Sequence, residues 1–211
     1  MNPPDHQGSG GFLLSGLVSG SMNILGLDLS LTSTGYCHNG DTGVIRSAQR
    51  GVARLIEISE AIIDIVHANC IDVVAIEGYS FASRSGQAFS IGELGGVVRV
   101  ALQRDERLFI EIPPTCRAKF ATGKGNASKN EVVSAVSART GIIWNNPGAD
   151  DKCDAWILEE MVLTAIGEPH FKWPEVNLSG LDKVDWGLLT DTVTGVRGQP
   201  ETTPKAEGGN K

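Results

Sequence analysis

Four carboxylates stand out in this chain by where they fall. Asp28 closes the apolar run Ile24-Leu-Gly-Leu-Asp28-Leu, and Glu77 closes Ile71-Asp-Val-Val-Ala-Ile76-Glu77. Asp151 and Asp154 lie three residues apart in a stretch with helical pattern, on the face shared with Leu158 and Met161. A charge on a buried strand is costly unless something pairs it. Singly, each residue could be a capping or salt-bridging carboxylate. Together, four oxygen donors with no matching set of His or Cys suit a hard cation, Mg²⁺ or Mn²⁺. Two such ions about 4 Å apart activate a water and stabilise the leaving oxygen of a phosphodiester.

A second constellation is basic. From Pro114 the chain reads PTCRAKFATGKGNASK, placing Arg117, Lys119, Lys124 and Lys129 around Gly123 and Gly125. Glycines let backbone N–H groups approach phosphate oxygens, and the cations add charge. The plainer alternative is a solvated, lysine-rich loop. Residues 99–139 hold eight Lys/Arg against four Asp/Glu, a local charge of +4, although the 211-residue chain carries −7. An acidic chain is not an ordinary nucleic-acid binder, but here the charge is segregated. Residues 140–191 alone account for −7, part of it in carboxylates that bound cations would offset. Strong metal dependence of any nucleic-acid engagement is therefore expected, with modest non-specific duplex affinity at physiological salt.

These groups need elements to position them. The run from Ile24 reads as a buried strand ended by the polar cluster from Ser30 to Gly35, with edge or hairpin strands near 35–38 and 43–46. Leu55, Ile58, Ile62, Ile65 and Val66 recur at helical spacing over about 50–68. Residues 71–76 form a second buried strand, 85–104 a glycine-interrupted helix, and 108–112 a third strand stopped by Pro113-Pro114. Ser128-Lys-Asn-Glu131 has the capping-box form ahead of a helix that ends near Gly141. A last helix spans about 149–166, with Asp150 and Asp151 at its positive end and Gly167 as its stop. Hairpin strands followed by strands alternating with helices mean an α/β layered domain.

Taken in order, ILGLDLSLTSTG, VVAIEGYSF, GKGNASK and NPGADDKCDA resemble the motifs of the RuvC family of Holliday junction resolvases, over about residues 23–161. The resemblance implies a ribonuclease H-like fold, with a mixed central sheet of about five strands flanked by helices. It implies Asp28, Glu77, Asp151 and Asp154 as a metal-binding acidic tetrad, Asp28 bridging two Mg²⁺ ions (Mn²⁺ able to substitute). D-x-x-D-A favours Asp151 over its neighbour Asp150. Gly123-x-Gly125-x-Ala127-x-Lys129 is similar to the family's G-x-G-x-A-x-K, with Lys119 or Lys129 near the scissile phosphate. Tyr79, Phe81 and Arg84 follow Glu77, where the family stacks an aromatic residue on a junction base. Residues 85–102 resemble the family's dimer helix. Two departures stand out: the aromatic is shifted relative to Glu77, and the Lys119–Gly123 spacing is one residue short.

The expected function is a structure-selective DNA endonuclease, acting as a homodimer on four-way junctions in recombination and repair. The rival within the class is a broader, bacteriophage-type nuclease for forks and flaps. Two other classes stay open at this point. Asp28-Leu-Ser-Leu-Thr-Ser-Thr-Gly also resembles the phosphate loop of the actin, Hsp70 and sugar-kinase superfamily, although those proteins need a second lobe. A non-catalytic junction-binding protein is the other, against which four clustered acids argue. The partition expected is a leader or tag at 1–21, a nuclease domain at 22–167, an extension at 168–191 and a disordered tail at 192–211. Cys37, Cys70, Cys116 and Cys153 are scattered without a C-x-x-C pair, which speaks against zinc or disulfides and for the reducing cytoplasm. With 41% hydrophobic and 20% charged residues and no apolar run near the ~20 residues of a membrane span, composition excludes disordered and membrane classes.

Overall fold

The structure, a computed structural model, describes residues 22–79, 87–144 and 147–189, the side chains of 87–91 apart. Five strands, β1 (Ile24–Asp28), β2 (Thr34–His38), β3 (Asp41–Ile45), β4 (Val73–Glu77) and β5 (Leu108–Ile112), form one sheet in the order β3-β2-β1-β4-β5. The β1-β2 and β2-β3 pairs are antiparallel, and β1-β4 and β4-β5 are parallel. Parallel neighbours need crossovers, supplied by α1 (Gly51–Ala68) and α2 (Gln87–Arg104). The mixed sheet, the hairpin and both crossover helices follow the sequence pattern within two residues, residues 85 and 86 of the second expected helix lying outside the described residues.

Strand alternation sorts the sheet into two faces. Leu25, Leu27, Val74 and Ile76 point to one side and bury the apolar stripes of α1 and α2: Leu55, Ile58, Ile62 and Val66 from the first, Leu94, Val98 and Leu102 from the second. Ile24, Val73 and Ala75 point to the other, so Asp28 and Glu77, at the same parity, face that side too. Leu27 pairs with Ile76 in register, which puts Asp28 and Glu77 on the next rung at the carboxyl edge of the parallel strands.

The second face is covered by α3 (Pro114–Thr122), α4 (Lys129–Thr140) and above all α5 (Ala149–Ile166). From Cys153 onward every residue of α5 is buried, so it packs on all sides rather than through one stripe. Glycine lets it come this close. A Cβ at Gly26 of β1 would stand 2.1 Å from the Ala155 carbonyl oxygen, and one at Gly35 of β2 would stand 2.1 Å from that of Asp151. That contact lowers the first turns of α5 onto the end of β1.

Two parts of this layer differ from the sequence pattern or go beyond it. The basic stretch after the Pro113-Pro114 stop is not all loop: Pro114–Thr122 is helical, with proline in the first turn, where its missing N–H costs nothing, and left-handed Gly123 (φ 80°) as the cap. Nine residues with a broken apolar pattern carry too little periodicity to be read. Beyond Gly167 the chain adds the short helix α6 (Glu175–Leu178) and packs Trp173, Leu181, Val184, Trp186 and Leu189 into the core beneath α3 and α5. Trp173 meets Phe120 of α3 with ring centroids 4.3 Å apart, and Asn177 Nδ2 donates to the Phe120 carbonyl at 2.6 Å. The extension is thus a brace for α3.

Candidate active site

Three of the four expected carboxylates come together. Asp28 arrives on β1, Glu77 on β4 and Asp154 from the second turn of α5, with Asp28 and Asp154 only 8% and 2% exposed. Between them, and 8% exposed itself, lies Arg117 of α3. Its Nε donates to Glu77 Oε1 at 2.7 Å and its Nη1 donates to Asp154 Oδ1. The guanidinium's planar fork spans two carboxylates that a point charge could not both reach.

The electrostatics are those of crowded acids. Burial raises the proton affinity of Asp28 well above the usual carboxylate range, and the charges of Glu77 and Asp154 raise it further against the opposing pull of Arg117 and Lys129. Asp154 is pushed up to about 6, first by burial; Arg117 pulls it down and Glu77 pushes it up. Burial works against the charge of Arg117, but Glu77 and Asp154 more than offset it and hold the guanidinium firmly protonated. One guanidinium thus bonds two of the three acids, and its charge reaches the third.

The remaining site candidates fall around this centre unequally. Asp151 is half-buried in the first turn of α5 and, among the described residues, forms no ion pair. Its neighbour Asp150 instead holds Lys129, with Nζ 3.2 Å from Oδ2. That pair is 59% and 48% exposed and contributes little to stability. Lys129 opens α4, and its charge reaches both Asp28 and Asp154. Lys119 is not brought to the carboxylates: two residues after Arg117 it lies on another side of α3, near Cys116 with Lys183 and Asp182. Lys124 is exposed, Gly123 caps α3, and a Cβ at Gly125 would press on the Thr115 carbonyl at 3.2 Å. Tyr79 is 41% exposed beyond β4, with the Arg99 guanidinium 4.5 Å from its ring centre and Arg99 Nη1 donating to its hydroxyl at 3.0 Å. Phe81 and Arg84 lie outside the described residues.

Arg117, expected among the phosphate-facing cations, sits inside the acid cluster. The signal for it was faint: a strand, Pro-Pro, then a cation four residues into a helix whose pattern does not announce it. The donors at Asp28, Glu77 and Asp154 are all oxygen and are short of positive charge, which fits a hard divalent cation in kind. In arrangement they are closed around the guanidinium. Among the described residues no three acidic, His or Cys side chains converge on a common point where a metal ion would sit.

Three comparisons bear on this geometry. A family model described as crossover junction endodeoxyribonuclease RuvC matches residues 24–159. Relatives carrying that name include one from Synechococcus sp. (strain WH7803), 30% identical over 145 residues, covering 64% of this chain and 93% of the relative. Another, from Sulfurovum sp. (strain NBC37-1), is 29% identical over 131 residues, 57% of this chain and 82% of the relative. Among solved structures, Thermus thermophilus RuvC superposes with a TM-score of 0.57 at 20% identity, covering 70% of this chain and 98% of its own. The same protein in complex with Holliday junction substrate gives 0.57 at 21% identity. These neighbours share the mixed sheet and flanking helices of a ribonuclease H-like fold.

Proposed function

The chain belongs to the RuvC family of crossover junction endodeoxyribonucleases, and from that premise we propose that it is a divalent-metal-dependent, structure-selective endonuclease that resolves four-way DNA junctions by phosphodiester hydrolysis. The observation that carries this reading is the grouping of Asp28, Glu77 and Asp154, from three separate elements, around Arg117 at the carboxyl edge of the parallel strands. Asp28, Glu77, Asp151 and Asp154 would hold two divalent cations, Mg²⁺ or Mn²⁺, whose Lewis acidity sharpens a water as nucleophile and offsets charge on the leaving oxygen. The chain's own groups supply the rest. Buried walls keep the carboxylates fixed and poorly solvated, so their demand for positive charge is high. Lys129, exposed at the start of α4 and within the field of the acids, neutralises charge at the scissile phosphate. Its place makes it a better candidate for that role than Lys119.

Tyr79, held by Arg99 two residues past Glu77, would stack on an unpaired junction base. A two-fold homodimer built on α2, where Val100 is 51% exposed, would set two such sites on a junction of approximate two-fold symmetry. The cytoplasm is the compartment this reading implies. The test incubates end-labelled four-way junction, fork, flap and linear duplex with the protein and Mg²⁺. Cutting of the four-way junction well above duplex is expected, and EDTA should stop it. Equal cutting of forks and flaps would replace the reading with a broader branched-DNA nuclease. Tight junction binding by folded protein without cutting would leave only a binding protein.

A further inference from the structure

Arg117 is the one feature of the acid cluster that the nuclease reading does not use. Its side chain is 9% exposed, and its two hydrogen bonds go to Glu77 and Asp154, the two acids nearest to it. It takes one oxygen of each carboxylate, Glu77 Oε1 and Asp154 Oδ1, and a divalent cation drawing on these acids would compete with it for their charge. A guanidinium and a metal ion cannot both take the same lone pairs, and two cations at van der Waals distance in a poorly solvated site repel strongly. The backbone under Arg117 is also held. Phe120, three residues on, is stacked by Trp173 and bonded by Asn177, and a Cβ at Gly180 would sit 2.7 Å from the Phe120 nitrogen. These contacts hold the backbone of α3 in place, so exchange is expected through rotation of the arginine side chain.

We infer that Arg117 is a tethered counter-ion, holding Glu77 and Asp154 until a divalent cation displaces its guanidinium, so that metal affinity is set by this internal competition. The inference rests on the reading of the cluster as a metal-dependent nuclease centre. Without metal, the charge of Arg117 offsets part of the repulsion among the three acids. Its release when the cation enters ties metal uptake to a side-chain movement at the site's wall.

The test is calorimetric titration of Mn²⁺, without DNA, into the full chain, R117M and R117K. Methionine keeps the length and removes the competitor, so R117M is expected to bind Mn²⁺ about tenfold more tightly than the unsubstituted protein. R117K keeps a point charge that cannot fork and should fall between. R117M should also melt at lower temperature without metal and gain more from Mn²⁺. Equal or weaker Mn²⁺ binding by a folded R117M overturns the competition while leaving the metal centre intact. No Mn²⁺ binding by either protein overturns the metal centre itself, and the inference with it. Should R117M not fold, the unsubstituted protein decides the question by NMR. The Arg117 Nε–H resonance, assigned by its loss in R117K, should move on saturation with Mg²⁺. That of Arg99, paired with Glu111 at 2.6 Å, should not. An Arg117 signal unchanged at saturating Mg²⁺ overturns the inference.

Discussion

Helix α5 carries buried carboxylates in two settings, and they differ in what answers the charge. Near its start, 2% exposed Asp154 shares the Arg117 guanidinium with Glu77, and Asp28 lies within the field of all three. One to two turns further, Glu159 and Glu160 are equally buried, 2% and 1% exposed, but each has its own set of donors. Glu160 accepts from Trp173 Nε1 at 2.9 Å and from the backbone N–H groups of Phe171 at 3.1 Å and His170 at 3.3 Å. Glu159 accepts from the N–H groups of Asn39 at 2.5 Å and Gly40 at 3.2 Å, with the Cys37 thiol at 2.8 Å. Burial raises the proton affinity of Glu160, but its hydrogen bonds from Trp173 and the backbone pull the other way. Fixed donors make a carboxylate part of the fold: Glu159 pins the hairpin, and Glu160, with His170 Nδ1 also 3.0 Å from its Oε2, pins the extension. Crowded acids around one guanidinium are, on the proposed reading, the ones open to exchange with a metal ion. Burial alone does not separate structural from functional acids; the partner does.

The largest expected effect breaks or upholds that division directly. Asp154→Asn, or Asp28→Asn, should lower junction cutting by about a thousandfold or more, since a lost ligand disables the whole constellation. The metal-free fold should be as stable as before or more so, because like-charge crowding is relieved. Glu160→Gln should do the opposite. Its amide places N–H₂ against donors, costing about 2–3 kcal/mol of stability, while cutting per folded molecule and Mn²⁺ affinity stay near those of the unsubstituted protein. Denaturant melts paired with initial rates check both. A folded E160Q that no longer cuts would erase the distinction.

A pH series sharpens it at an intermediate level. Asp154 titrates near 6 in the folded chain, above its ordinary 3.8. A carboxylate with a raised folded value binds its proton more tightly when folded. Its stabilising contribution is therefore fully present below about 3.8 and is lost as pH rises through about 6. In EDTA the melting temperature should accordingly lose this contribution between those values. Metal runs the other way: proton and cation compete for the carboxylate, so apparent Mn²⁺ affinity should climb as pH rises through 6 and level off above it. Calorimetry at pH 5, 6 and 7.5 reads this out, and a flat profile would remove Asp154 from the ligands.

How much of this was legible in the chain follows from the same physics. Asp28 and Glu77 could be read because an acid interrupting a β-branched run needs a reason, and strand parity then places both on one face. α5 was legible from its ends, in Asp150, Asp151 and Gly167, since its interior is apolar on every side. Glu159 and Glu160 passed unremarked, as acids in a helix look ordinary until the hairpin and extension close over them. Arg117 was legible as a cation but not in its place. Nine residues of α3 have little pattern, and its orientation is set from outside by Phe120, Trp173 and Asn177. The packing of residues 173–189 depends on aromatic contacts distant in sequence, which no local window contains.

The smallest effect concerns an exposed acid, and so asks whether the partner matters apart from burial. Glu131 closes the capping box of α4: Ser128 N–H donates to its Oε2 at 2.7 Å, and the Ser128 hydroxyl accepts from its backbone N–H at 3.4 Å. The hydrogen bonds that Ser128 donates to Oε2, from its N–H and from its hydroxyl at 2.7 Å, hold the Glu131 carboxyl below its ordinary range. By the argument from α5 this is a carboxylate of the fold, although water surrounds it. Ser128→Ala should cost about 1 kcal/mol through the lost cap, seen as a melting point lower by a few degrees, and should leave Mn²⁺ affinity unchanged. Lys129 is the residue after the cap, so its ammonium loses some definition beside Asp150, and cutting should fall by less than about tenfold. A drop as deep as that of D154N would mean that the start of α4, rather than the carboxylates, limits the reaction. A shift in Mn²⁺ affinity would mean that backbone-held acids also feed the metal centre, and the line drawn along α5 would have to move.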